Sequence, residues 1–221
     1  TYLDMLDQRQ VDLFFGIQCP RGSAPYTTGN LERSPGWLLV SRSMIHAIYL
    51  RDNQRNQKNK QRIAAYYRDQ GVPFDMQHGL DVREMVLGAP QWAKDHNLLP
   101  PHYDVLVQTA SHSDVAERDG ALNELASVYA LIGMYQEQLE LEFELINRHE
   151  KAKAPRRRAV FGLLRLNRPD EAQAVARNLL SMDAKDRRSR FLLTASRLYG
   201  KLSQEKQRGE RPPHAAEAVI C

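Results

Sequence analysis

The sequence predicts an α+β chain that is mostly helical: a small α/β subdomain carrying a β-hairpin, followed by an array of α-hairpins. Three observations predict it. The first fifty residues hold three short apolar runs, rich in β-branched and aromatic residues and bounded by turn formers. Helix-favouring sequence then dominates as far as about Leu202. Within that helical part, small and apolar positions recur with a fixed period, Leu125 answered by Ala159 and Ala126 by Val160.

Taken in order, Tyr2 to Gln8 reads as the end of a helix, and the run Val-Asp-Leu-Phe-Phe-Gly-Ile from Val11 to Ile17 as a strand. A loop rich in Gly, Pro, Ser and Thr runs from Cys19 to Asn30. Trp37 to Ser41 and Ile45 to Leu50 follow, separated only by Arg42, Ser43 and Met44, which predicts an antiparallel hairpin. Three strands make a thin sheet that seldom stands without helices on its face. With Thr1 where a Met would open a full chain, the expectation is that part of this domain lies upstream. Asn53 to Gln70 reads as a helix stopped by Gly71. Asp81-Val-Arg-Glu84 and Ser111-His-Ser-Asp114 both have capping-box spacing, so a helix is expected to start at each. Pro90, Pro100 and Pro101 break the stretch between them into short pieces. The organisation expected is an α/β subdomain over 1–80, a helical connector over 81–117, helical repeats over 118–202 and a flexible tail over 203–221.

Composition excludes several classes. The 221 residues are 42% hydrophobic and 26% charged, which is ordinary for a globular chain and unlike a collagen, a disulfide scaffold or a disordered tract. Lys and Arg exceed Asp and Glu by 31 to 27, a formal +4. A dedicated nucleic-acid binder carries a sharper imbalance, so nucleic acid is not the partner expected. Cys19 and Cys221 make no disulfide framework and no zinc site, although one bridge between them stays open. No apolar run is long enough to span a bilayer.

The chain contains no glycine-rich dinucleotide loop, no phosphate-binding lysine loop, no zinc-protease His pair and no nucleophile elbow. Its histidines, at 46, 78, 96, 102, 112, 149 and 214, are scattered. His46 falls inside a strand and reads as packed. Asp12 is a single carboxylate, which is not a mechanism. Cys19, beside Arg21, has no identifiable base. The expectation is a non-catalytic chain without metal or cofactor.

The recurrence in the helical part carries more information. Leu122, Leu125, Ala126, Tyr129, Gly133 and Tyr135 advance by one period to Arg156, Ala159, Val160, Leu163, Asn167 and Pro169; Gln138 advances to Ala172 and Leu145 to Leu179. Packing positions stay small or apolar, a turn former recurs at the turn, and Arg156 is the misfit. Arg190 to Tyr199 begins a third copy and reads as a capping helix. Over residues 118–202 the pattern resembles tetratricopeptide repeats, with segments 126–138 and 160–172 as their helix–turn–helix cores. In that family the first helix of each pair lines a concave groove. The resemblance therefore implies a groove lined by Asn123 and Ser127, by Arg157, Phe161, Leu164 and Arg165, and by Arg188, Phe191 and Tyr199. Arginine forks beside aromatic rings suit an acidic or carboxylate-ended peptide. The competing reading is a solvated face, or pairing of these arginines with Glu137, Glu140, Glu142 and Glu144.

A shorter resemblance lies at the front. Val-Asp-Leu-Phe-Phe-Gly16, then Leu31-Glu-Arg-Ser-Pro-Gly-Trp-Leu-Leu-Val40 and Ala47-Ile-Tyr-Leu-Arg51, look like the soluble tail of polytopic bacterial membrane proteins related to glycosyltransferases that use lipid-linked sugars. That resemblance implies a membrane-associated protein with this part on the extracytoplasmic face, held by segments upstream of residue 1. It carries over no catalytic residue. The leading expectation is thus a protein-interaction module, the soluble part of a larger membrane-tethered protein, binding an acidic peptide. One alternative is an enzyme fragment with a ligand loop at residues 19–30. Another is an anionic lipid or nucleic-acid binder using the acid-free basic run from Lys151 to Arg168.

Overall fold

The computed structural model describes residues 2–17, 31, 34–112 and 114–207. The Cys19–Asn30 loop, Cys221 and the rest of the segment after 207 lie outside the described residues. The described chain is mostly helical, with a three-stranded antiparallel sheet near its start and consecutive packed helix pairs after it. It divides into two compact units: the residues up to Pro101 together with Leu131–Gly133, and His102–Ala130 together with the residues from Met134 onward.

In the first unit, helix α1 (Tyr2–Gln8) leads into β1 (Leu13–Ile17). β2 (Trp37–Arg42) and β3 (His46–Arg51) form the expected hairpin, each ending one residue later than its apolar run. Ser43 closes the turn by accepting the Ile45 and His46 N–H groups on its Oγ, both at 3.2 Å. β3 lies in the middle of the order β1-β3-β2, with Leu13 opposite Leu50, Phe15 opposite Ile48 and Ile17 opposite His46. Ile63 of helix α2 (Gln57–Asp69) and Phe74, beyond its end, pack against the face formed by Leu38, Val40, Ile48 and Leu50. The helix stops where Gly71 takes φ 68°, which lets the Val72 N–H reach the Tyr67 carbonyl. Tyr67 donates its hydroxyl to the Val40 carbonyl at 2.7 Å and stacks on Phe74, fixing helix to sheet. Helix α3 (Val82–Gly88) is capped as expected, Asp81 accepting the Arg83 and Glu84 N–H groups. Helix α4 (Pro90–Asp95) carries Pro90 in its first turn, where a missing N–H costs nothing.

The second unit holds α5 (Tyr103–His112), α6 (Val115–Ile132), α7 (Tyr135–Arg148), α8 (Lys153–Arg165), α9 (Pro169–Met182) and α10 (Arg187–Gln207). The second capping box is displaced from its predicted place. Ser111 sits in the last turn of α5, donating Oγ–H to the Val107 carbonyl, and Asp114 caps α6 by accepting the Ala116 and Glu117 N–H groups. Ser111 is held inside α5 by that bond, so the cap of the next helix falls to Asp114.

The helices from α6 on are antiparallel pairs with repeat-like spacing. Helix α9 begins and ends one sequence period after α7, and α10 begins one period after α8. Backbone bonds follow the same spacing. Met134 donates to Tyr129 and Arg168 to Leu163, both at 2.9 Å, while Ala152 donates to His149 and Asp186 to Asp183, at 2.9 and 3.1 Å. The predicted turn formers Gly133 and Asn167 both lie in the left-handed region, at φ 87° and 57°.

Leu139, Val160, Leu163, Leu179, Leu192 and Leu193 make the core of α7–α10, with Ala159, Ala172 and Ala176 allowing close helix approach. The misfit Arg156 is buried at its apolar position. Its Nε donates to Asn178 Oδ1 at 2.9 Å and its Nη1 to the Ala152 carbonyl at 2.7 Å, so the guanidinium is satisfied inside the fold. At the other edge of the array, the buried Arg156, Val160 and Leu163 of α8 are answered one period later by exposed Arg190, Thr194 and Arg197 of α10. A polar outer face is what the last helix of a stacked array requires.

Candidate interaction surface

The predicted groove residues fall on three helices of the second unit. Asn123 and Ser127 are on α6, Arg157 to Arg165 on α8, and Arg188, Phe191 and Tyr199 on α10. The repeat period aligns Asn123 with Arg157 and Phe191, and Ser127 with Phe161. Asn123, Ser127, Arg188 and Phe191 are exposed, Phe191 by 58%. Arg157, Arg165 and Tyr199 are half-buried, and Phe161 and Leu164 pack partly against the α7–α10 core.

Arg157 is already engaged. Its Nη2 donates to Asp186 Oδ2 at 2.6 Å. Asp186 caps α10, accepting the Arg188 N–H on Oδ1 and the Ser189 hydroxyl on Oδ2. The Ser189 hydroxyl and the Arg157 guanidinium hold this carboxyl well below the usual aspartate range. Arg157 therefore ties α8 to the start of α10.

Its sequence neighbour Arg158 does what the competing reading expected of the groove arginines. Arg158 Nε and Nη2 grip Glu142 of α7 at 2.5 and 2.9 Å, and Nη2 also donates to Asn123 Oδ1 at 2.6 Å. Glu142 is fully buried, and burial raises its pKa against the opposing pull of Arg158. Glu144 pairs with Arg118 instead. Neither Arg158 nor Asp186 is singled out by the sequence. The signal for Glu142 was present, since it interrupts the apolar series Leu139, Glu142, Leu145 on one face of a helix.

The basic run of the anionic-surface alternative is drawn into the fold in the same way. Lys153 pairs with Asp183, Arg156 with Asn178, Arg157 with Asp186, Arg158 with Glu142 and Arg168 with Glu171. In the first unit, Asp12 accepts from Asn53 and Arg55, at 2.7 and 3.0 Å, bracing the start of β1. His46 contacts Ser43 Oγ through Nδ1 at 2.8 Å and stacks on Phe15, and burial lowers its pKa. Among the described residues, no group of three His, Cys, Asp or Glu side chains is placed to hold a metal, and no helix is long and apolar enough to cross a membrane.

No known family model matches this chain, and no curated protein does either.

Proposed function

We propose that the helical unit is a non-catalytic protein-interaction module of tetratricopeptide type whose groove face takes an acidic or carboxylate-bearing peptide. One observation supports this most directly. Three helices that recur by position present Arg165, Arg188, Phe161, Phe191 and Tyr199 unburied or half-buried, and the nine groove positions include no acid. Guanidinium groups next to phenyl and phenol rings recognise a carboxylate by paired N–H donors, while the rings cover its aliphatic neighbours. On the resemblance of its first fifty residues, this module is carried by a larger membrane-tethered protein. Fractionation of cells expressing the native protein tests that point, and recovery only as a soluble 25.4 kDa species would end it.

The groove is tested by calorimetric titration with a peptide rich in Asp and Glu, with its charge-reversed counterpart as control. Arg157→Ala is a poor probe because it also strips Asp186 of its guanidinium. Arg188→Ala is better, and is expected to weaken binding about tenfold, the value of one charged hydrogen bond. Helix content should not change. Wild-type affinity in the Arg188→Ala variant, or equal binding of the charge-reversed peptide, would exclude the groove.

A further inference from the structure

We propose that the outer side of α10 docks the helical unit on an anionic lipid surface through a row formed by Arg187, Arg190, Arg197 and Lys201. At about 100° per residue, these four and Thr194 fall within about 80° of one another around the helix. All five are exposed. The row runs for about 21 Å along the helix axis. Ser189, Leu192, Leu193 and Ser196 are buried on a second sector of the same helix. The groove positions Arg188, Phe191 and Tyr199 occupy a third, so this inference goes beyond the peptide groove and does not depend on it.

The charge of the row is unspent. From Arg187 to Gln204 the helix contains no Asp or Glu. The side chains of Arg187, Arg197 and Lys201 make no hydrogen bond or ion pair among the described residues, and Arg190 gives one N–H to the Lys185 carbonyl at 3.1 Å. Elsewhere in the same unit Lys153, Arg157, Arg158 and Arg168 each hold a carboxylate. A cleft of about 380 Å³ between α9 and α10 adjoins the row, lined by Gln173, Thr194, Arg197 and Lys201, with Asp170 as the carboxylate that offsets one of the cations. Charge complementarity calls for an anion, and the form of the row selects its kind. A straight row on the last helix of the array meets a plane without enclosing a strand. It contains no aromatic ring on which a base could stack, which disfavours single-stranded nucleic acid. Cations along one side of a helix are drawn to the surface potential of anionic headgroups, each strengthening binding about fivefold. No large apolar side chain belongs to the row, so the contact is electrostatic and is screened by salt.

Co-sedimentation of the full chain with phosphatidylcholine vesicles, with and without about one-third phosphatidylserine, tests it. The chain should pellet with the anionic vesicles at low salt, stay in solution with the neutral ones, and leave the anionic vesicles as ionic strength rises. Arg197→Ala with Lys201→Ala should weaken anionic binding about 25-fold, the value of two cations, with unchanged helix content by circular dichroism. Arg197→Lys with Lys201→Arg should retain it, because a surface potential reads charge and not the geometry of the guanidinium fork. Equal pelleting with neutral vesicles, wild-type affinity in the alanine pair, or loss of binding in the charge-preserving pair would overturn the proposal. Tighter binding to an oligonucleotide than to the anionic vesicles, at equal phosphate concentration, would also overturn it and assign the row to nucleic acid.

Discussion

Replacing Arg158 by methionine removes the guanidinium that grips a fully buried carboxylate, Glu142. Breaking a buried ion pair from one side costs about 3–5 kcal/mol, because the remaining charge keeps its desolvation penalty without its partner. Here the lower end applies. The Arg158 side chain is 32% exposed, so water can enter beside the methionine, and Gln138 remains as a donor to Glu142. A loss of about 3 kcal/mol at pH 7 lowers the melting temperature by about 6–12 °C for a chain of this size. The deficit should also depend on pH in a definite direction. The Glu142 carboxyl already binds its proton more tightly folded than unfolded, because burial outweighs Arg158. Removing Arg158 deletes the hydrogen bond and the charge that oppose burial, so the folded carboxyl titrates still higher. Protonation then relieves the variant as pH falls from 7 to 5, and the deficit shrinks. Far-UV circular dichroism of thermal and urea unfolding at both pH values measures it. Adding Glu142→Gln to Arg158→Met should recover about 1–2 kcal/mol at pH 7, since a neutral amide is far cheaper to bury. A deficit below about 1 kcal/mol, or one equal at pH 5 and 7, would refute the buried-pair account.

Other consequences are open to direct measurement. Gly79→Ala should destabilise the first unit by about 2 kcal/mol or more, because its Cβ would stand 2.5 Å from the Leu39 carbonyl oxygen at φ 82°. Hydrogen exchange should show lost protection around β2, and wild-type protection there would contradict the contact. The depressed Asp186 carboxyl contributes stability that is present above its unfolded value and lost as pH falls through its lower folded value. Asp186→Asn should therefore flatten the acid limb of the stability profile, and an unchanged limb would assign acid sensitivity elsewhere.

Much of the fold is written in short-range pattern. The three apolar runs, the glycine after α2 and the Asp81 cap depend on neighbours within a turn or two, and each appears in the structure, the strands within two residues of the runs that predicted them. The Ser111 box shows the limit of such reading, since two acceptors three residues apart compete for one helix start, and Ser111 bonds back to the Val107 carbonyl while Asp114 takes the cap. The polar tertiary contacts were not readable in this way. Arg157 and Arg158 are adjacent in sequence, yet one reaches Asp186, 29 residues ahead, and the other Glu142, 16 residues behind. Arg156 looked like an error in the repeat until Asn178 and the Ala152 carbonyl were seen to receive it.

By itself, then, the sequence determined the fold class, the strands and most helix boundaries, because strand and helix periodicity and turn chemistry are properties of local backbone geometry. Which charges are consumed as struts, and which side chains stay exposed on the α6–α8–α10 face and on the outer side of α10, was decided only by tertiary structure. A guanidinium cannot select its carboxylate until helix packing sets the distance between them.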